Sequence, residues 1–192
     1  MKTSQWLYFH KAIDPKWCDD YVKWCEKSYQ KVDSAIGFES AKPDKDYRES
    51  DIRWLTPNRE QGLIDILMGH VHTANRNHFG INIQTPYINE LQFTTYNSPS
   101  GKYGWHHDVD LSTPLAVHRK LSITLQLSDS KDYEGGEFQF HTADQMNDKQ
   151  KKEVRDKGTI LVFPSFLEHQ VTAVTKGTRH VVVAWIEGPH WT

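Results

Sequence analysis

The stretch Tyr103-Gly104-Trp105-His106-His107-Asp108-Val109-Asp110 sets two imidazoles and two carboxylates within five consecutive residues, just after the turn-forming run Ser98-Pro99-Ser100-Gly101. In an extended chain side chains alternate, so His106 and Asp108 point to one side of a strand and His107 to the other. An imidazole nitrogen and a carboxylate oxygen on the same side can converge on one metal ion. The rival pairing of His107 with Asp110 needs a bend, because Val109, two residues beyond His107, cannot ligate. A third ligand has to come from elsewhere in the chain.

Eleven histidines are present, so each candidate needs an argument from position. His118, His141, His169, His180 and His190 lie in the same half of the sequence. Of these, His169 follows Gly158-Thr159-Ile160-Leu161-Val162-Phe163-Pro164-Ser165, a strand running into a turn, and opens the run Gln170–Val174. Strand ends are where sites are usually built. Arg179 comes ten residues later, past an expected turn at Lys176-Gly177, which would set it across a hairpin from His169. A metal beside a guanidinium fork is a receptor for a dicarboxylate, one end chelating the ion and the other gripped by the arginine. Two imidazoles and one carboxylate on one face form the facial triad of non-haem Fe(II) oxygenases, with three positions left open. Tyr103 and Trp105 flank the ligands and are read as shaping the pocket mouth. Arg119, just before the run Lys120–Leu127, is a candidate for the substrate channel. His180 should face away from Arg179.

These side chains need a scaffold, and 192 residues with 37% hydrophobic and 12% aromatic content suit one folded domain. The 23 basic residues balance 25 acidic ones, which argues against nucleic-acid binding through phosphate neutralisation. No apolar run reaches the length of a membrane span, and Met1 to Trp6 lack the apolar core of a signal peptide, so a cytoplasmic chain is expected. Cys18 and Cys25 are seven apart on an expected helix, roughly 10 Å of rise, too far for a disulfide. Asp14-Pro15 is a helix start, and Trp17, Cys18, Tyr21, Val22 and Cys25 recur at helical spacing to about Gln30. Residues 31–50 read as a polar loop and a candidate substrate lid. A strand over Asp51–Leu55 and a helix from about Arg59 to Asn77 follow.

After Gly80 the chain becomes a series of β-type runs: 88–96, 103–109, 120–127, 137–141, 159–164, 170–174 and 179–187. Leu121-Ser122-Ile123-Thr124-Leu125-Gln126-Leu127 alternates with period two, the pattern of a half-buried strand. Glu134-Gly135-Gly136-Glu137 is a tight turn, and Asp144–Lys157 an exposed loop or short helix. Trp17, Trp24, Trp54, Phe79 and Trp185 read as core. The whole is mainly β with N-terminal helices: a sandwich or barrel over about 88–189, braced by helical support over about 10–80, in a single domain 1–192.

Taken together, Trp105-His106-His107-Asp108, Tyr133-Glu134-Gly135-Gly136-Glu137-Phe138, Gly158 to Ser165 with His169, Gly177-Thr178-Arg179 and Trp185-Ile186 resemble the 2-oxoglutarate/Fe(II) dioxygenases. The nearest group is the prolyl 4-hydroxylase-like branch with its bacterial and phage members, and the resemblance covers about residues 88–189. It implies a double-stranded β-helix, or jelly-roll, core. It also implies Fe(II) on His106, Asp108 and His169, with 2-oxoglutarate chelating the iron and its far carboxylate on Arg179. Tyr96, on the strand before the His-x-Asp motif, matches a tyrosine that assists co-substrate binding in this branch. O2 is then the oxidant, ascorbate a candidate reductant, and the activity hydroxylation of a peptidyl residue such as proline. A free amino acid, a small metabolite or an alkylated nucleobase is the alternative substrate, and a jelly-roll module that binds metal or dicarboxylate without turnover the alternative class. The substrate and the oligomeric state are not legible.

Overall fold

The computed structural model describes residues 5–33, 44–83, 88–111, 117–143 and 145–191. The first part of the chain forms β1 (Leu7–Phe9), α1 (Pro15–Ser28), β2 (Val32–Asp33), β3 (Arg48–Glu49), β4 (Asp51–Leu55) and α2 (Gln61–Ala74). Strands then dominate: β5 (Ile88–Asn97), β6 (Lys102–His106), β7 (His118–Gln126), β8 (Tyr133–Gly135) and β9 (Phe138–Phe140). The short helix α3 (Asp148–Glu153) precedes β10 (Ile160–Pro164), β11 (His169–Val171) and β12 (Val174–Gly188). These strands make two antiparallel sheets of a jelly roll. The larger runs β1-β10-β7-β12-β5-β4-β2 with β8 beside β12, and the smaller runs β3-β6-β11-β9.

Local chemistry explains how the helices begin. Asp14 accepts from the backbone amides of Lys16 (2.9 Å) and Trp17 (3.1 Å), capping α1, and Pro15 opens it with a preset φ. Cys18, Tyr21 and Cys25 of α1 join Leu63, Ile64, Leu67 and Val71 of α2 in one apolar cluster with Leu91, Phe93, Ile123, Leu125, Val182 and Ala184 of the larger sheet. Both cysteines are free. Glu60, at the start of α2, fastens the two helices by accepting from the hydroxyls of Tyr21 (2.7 Å) and Tyr29 and from the Trp24 indole (3.2 Å).

With its outer face sealed by helices, the larger sheet is free to carry polar residues inward. β7 alternates as expected, yet it is not half-exposed: Ser122, Thr124 and Gln126 are buried along with Leu121, Ile123 and Leu125. The polar residues face the interior between the sheets rather than water. Trp24 and Trp54 depart from the core assignment, Trp54 being 47% exposed. Trp24 instead spends its indole on Glu60, and Trp54 lies at the rim of the cavity described below.

Two further expectations are corrected. Lys176-Gly177 is not a turn but lies inside β12, where Gly177 takes a left-handed φ of 72° that brings it against the Asp132 carbonyl. The run from His169 to Gly177 continues in one direction against Phe140 to Tyr133, passing from β11 into β12, so His169 and Arg179 do not face each other across a hairpin but belong to different sheets. Within the expected loop 31–50, Val32–Asp33 and Arg48–Glu49 are strands, and residues 34–43 lie outside the described residues. Among the described residues no helix is long and apolar enough to cross a membrane.

Glu60→Ala should strand three buried or half-buried donors at the joint of α1 and α2. A loss of about 2–4 kcal/mol is expected, lowering the thermal midpoint by roughly 5–15 °C. Glu60→Gln, which keeps an acceptor, should lose less. Thermal unfolding followed by circular dichroism checks both.

Candidate metal and co-substrate site

β6 and β11 pair antiparallel with His106 directly opposite His169. β6 stops at His106, and the Asp108 amide then donates to the Ser165 carbonyl at 3.0 Å. That bond, not a continuing strand, turns the Asp108 carboxylate towards the two rings. His106 Nε2 lies 3.6 Å from Asp108 Oδ1, and His169 Nε2 lies 3.6 Å from Oδ2. One ligand atom from each of the three residues falls within 4.8 Å of the others.

The hydrogen bonds settle which nitrogen of each ring is available. His106 Nδ1 meets the Gly104 carbonyl at 2.7 Å and His169 Nδ1 meets the Leu167 carbonyl at 2.8 Å. A carbonyl only accepts, so the proton sits on Nδ1 and each Nε2 lone pair faces the gap. Burial, reinforced by His169, pushes the His106 imidazole down to about 3, keeping it neutral. Burial alone would raise the Asp108 carboxyl, but His169, His106 and the Ser122 hydroxyl outweigh it and hold it below the usual range. Tyr103 stacks on His106 with ring centres 3.5 Å apart, and Phe138 on His169 at 5.2 Å, fixing both planes.

This set fits a divalent first-row cation. The 3.6 Å separations are too long for hydrogen bonds, and Asp108 Oδ2, on a residue 8% exposed, has no donor among the described residues. A buried carboxylate oxygen left unmet is costly, and two neutral imidazoles with one carboxylate supply what such an ion needs.

Arg179 approaches the same space from β12, opposite Tyr96 of β5. Its Nε donates to Gln126 Oε1 at 3.1 Å, while its buried Nη1 has no partner among the described residues. Gln126 is held for this by donating its own amide to the Ser128 carbonyl and the Tyr133 hydroxyl. The guanidinium lies 5.5 Å from the Tyr96 ring centre. Gly136, at φ 60°, makes the approach possible, since a Cβ there would come within 3.1 Å of Arg179 Cδ and 3.2 Å of the Tyr133 ring. Glu134-Gly135-Gly136-Glu137 is therefore not the tight turn expected: β8 and β9 run on in one direction against the continuous run from β11 into β12, and the glycine makes room for Arg179.

A cavity of about 640 Å³ joins these parts. Along it the β5 and β12 residues pair as Tyr96 with Arg179, Thr94 with Val181, Gln92 with Val183 and Glu90 with Trp185. From Arg179 to Trp185 is six residues, roughly 20 Å of strand. At the far end Arg119 ion-pairs with Glu90 and lays its guanidinium 3.9 Å from the Trp185 ring centre, with Trp54 beyond at 6.4 Å. Tyr103 and Arg119 line this cavity, as does the exposed His107. Trp105 does not: its ring packs on His141 at 5.0 Å, because a bulge in β6, three steps from Tyr103 to His106 against two of β11, puts those two on one side and turns Trp105, next to His106, away. His180 stacks on Phe93 outside the cavity. Arg48, Gln92 and Gln126 went unnoticed in the sequence as site residues. The period-two run Glu90, Gln92, Thr94, Tyr96 was the available signal for one of them.

A jelly roll carrying a His-x-Asp pair, a distant histidine and an interior arginine defines a class of metal-dependent oxygenase scaffold. The model of the 2OG-Fe(II) oxygenase superfamily matches residues 91–187, and the chain belongs to that family. A PKHD-type hydroxylase of Synechococcus sp. (strain CC9902) is 43% identical over 88 residues, 44% of this chain and 36% of that protein. The chain spans less than half the length of the curated relatives it first matches. The solved 2OG complex of a viral collagen prolyl hydroxylase from Paramecium Bursaria Chlorella virus-1 shares the fold, with TM-score 0.69, 18% identity and coverage of 96% of this chain and 97% of that one. A Trichoplax adhaerens prolyl hydroxylase, solved with a hypoxia inducible factor peptide fragment, superposes with TM-score 0.71 at 13% identity, over 96% and 84% of the two chains.

Chelator-stripped protein titrated with Mn(II) should gain stability, about 2.7 kcal/mol at a hundredfold excess over Kd, seen as a rise of roughly 5–10 °C in the thermal midpoint. Asp108→Ala should show no rise. An equal rise in the variant would place the ion elsewhere.

Proposed function

We propose that this chain, as one domain, is a 2-oxoglutarate-dependent hydroxylase acting on a peptidyl residue, with proline the foremost candidate. The observation that carries the proposal is the meeting, in one cavity, of three metal-ligating atoms and a guanidinium with an unpartnered nitrogen. His106, Asp108 and His169 would hold Fe(II). With O2, the bound iron supplies the oxidising power that decarboxylates 2-oxoglutarate to succinate and carbon dioxide and hydroxylates a substrate C–H bond, with ascorbate as the expected reductant.

The chain's own residues do the rest. Arg179 takes the far carboxylate of 2-oxoglutarate through Nη1, and Gln126 anchors the guanidinium without cancelling its charge. Tyr96, buried beside Arg179, lends its hydroxyl to the same subsite. Tyr103, Phe138, Val171 and Val181 wall the ligands with apolar surface and keep water out. Substrate enters at the Trp54, Trp185 and Arg119 end, which is open and aromatic. The hydroxylases among the relatives, and the peptide bound to the T. adhaerens prolyl hydroxylase, support a peptide as the substrate.

With Fe(II), ascorbate, O2 and 2-oxoglutarate supplied, wild type should form succinate and His106→Ala none. Arg179→Lys should raise the KM for 2-oxoglutarate about tenfold, because lysine lacks the fork, while leaving Mn(II) affinity in place. Absence of succinate from wild type with prolyl peptides present would favour a binding module over an enzyme.

A further inference from the structure

Arg48 of β3 lines the same cavity and is 9% exposed. Its Nη2 donates to Gln92 Oε1 at 2.8 Å, its Nε to Ser50 Oγ at 3.3 Å, and its guanidinium lies 4.3 Å from the Tyr103 ring centre. Every one of these partners is neutral, and among the described residues no carboxylate pairs with it. Arg119, in the same cavity, has Glu90. A guanidinium withdrawn from water without an acid is an unstable arrangement unless something anionic arrives.

The chain treats Arg48 as it treats Arg179. Each is buried, each is oriented by a glutamine Oε1, and each glutamine Oε1 is itself positioned by a further hydrogen bond, Gln92 by the Thr94 hydroxyl and Gln126 by its own amide contacts. A glutamine orients a guanidinium without neutralising it, which suits a site that waits for a charged ligand. The charges at the proposed active site point the same way. The two negative charges of 2-oxoglutarate and the one on Asp108 balance a divalent metal and Arg179. Arg48 is left over.

We propose that Arg48 is a carboxylate subsite for the substrate, so that the molecule hydroxylated carries an anionic carboxylate close to its reacting carbon. This rests on the reading that 2-oxoglutarate occupies Arg179. Arg48 stands on Tyr103, whose ring stacks on His106, which sets it beside the metal ligands. Its partner Gln92 is four residues along β5 from Tyr96, roughly 13 Å towards the cavity mouth. Arg48 therefore reaches towards the side from which substrate comes, beside the metal ligands. The carboxylate has two sources, a chain-end carboxylate on the target residue itself or an acidic side chain next to it in a peptide.

Calorimetric titration of the protein holding Mn(II) and saturating 2-oxoglutarate, without turnover, separates these. N-acetylproline against N-acetylprolinamide probes the chain-end source. Acetylated and amidated aspartyl-prolyl-glycine against its asparaginyl counterpart probes the side-chain source. The charged member of at least one pair should bind wild type about tenfold tighter than its neutral twin, as a charge-assisted bidentate contact predicts. Arg48→Gln should abolish that preference, Arg48→Lys retain part of it, and neither should weaken 2-oxoglutarate binding as Arg179→Gln does. Equal or absent binding of the charged members, a preference that survives Arg48→Gln, or a loss of 2-oxoglutarate affinity in Arg48→Gln matching that of Arg179→Gln would each overturn the proposal. Succinate formation, measured separately with Fe(II), reports on the hydroxylase reading alone.

Discussion

Charge is held away from water in this cavity, and at Asp108, Arg48 and Arg179 the protein does not cancel it with an opposite charge. Asp108 keeps an oxygen that no donor among the described residues reaches, while Arg48 and Arg179 are given glutamine amides where carboxylates would have paired them. A glutamate at position 92 or 126 would pair the arginine beside it and so compete with an anionic ligand. Neutral acceptors leave the arginines oriented but unpaired, at a cost in folding free energy that a bound anion or cation can return. The apolar wall of Tyr103, Phe138 and Val181 strengthens every such interaction by keeping the local dielectric low. Most of what surrounds the site can be understood as keeping that arrangement rigid.

Rigidity begins on the opposite face of the larger sheet. α1 and α2 cover Leu91, Phe93, Ile123, Leu125 and Val182, so the hydrophobic driving force for the sheet is supplied on its outer side. The inner side is then released to carry Thr94, Tyr96, Ser122, Thr124 and Gln126. Glu60 joins the helices through three donors, so the support moves as one unit. The smaller sheet contributes both histidines from paired strands, and the fixed spacing of that pairing sets the gap between their rings.

Much of this was legible before the fold was known, for local reasons. Asp14-Pro15 marked a helix start because capping is decided within three residues. The alternation in Leu121 to Leu127 marked a strand and put its polar members on one face, though not the fact that this face looks into a cavity. His106 and Asp108 stood out by spacing, and His169 by its place at a strand end. The hairpin expected to set Arg179 beside His169 is not there: β12 runs straight through Lys176-Gly177, and sheet packing brings Arg179 near the metal ligands. Trp105 was misplaced because flanking a ligand does not decide which way a side chain points. Arg48 was passed over because a short edge strand amid polar residues carries no periodicity.

Side-chain chemistry and near-neighbour geometry were determined by the sequence itself: which residues could ligate, cap, turn or alternate, and the glycine pair whose left-handed φ lets the chain bend at residues 135–136. Tertiary structure alone decided convergence. His106 meets His169 through strand pairing, Asp108 is turned inward by a carbonyl from residue 165, and Arg48 meets Gln92 across sheets. Such contacts join residues that are dozens of positions apart, and their distances follow from the register and packing of whole sheets. No local propensity encodes that register, because it is set by the apolar faces that must be buried together.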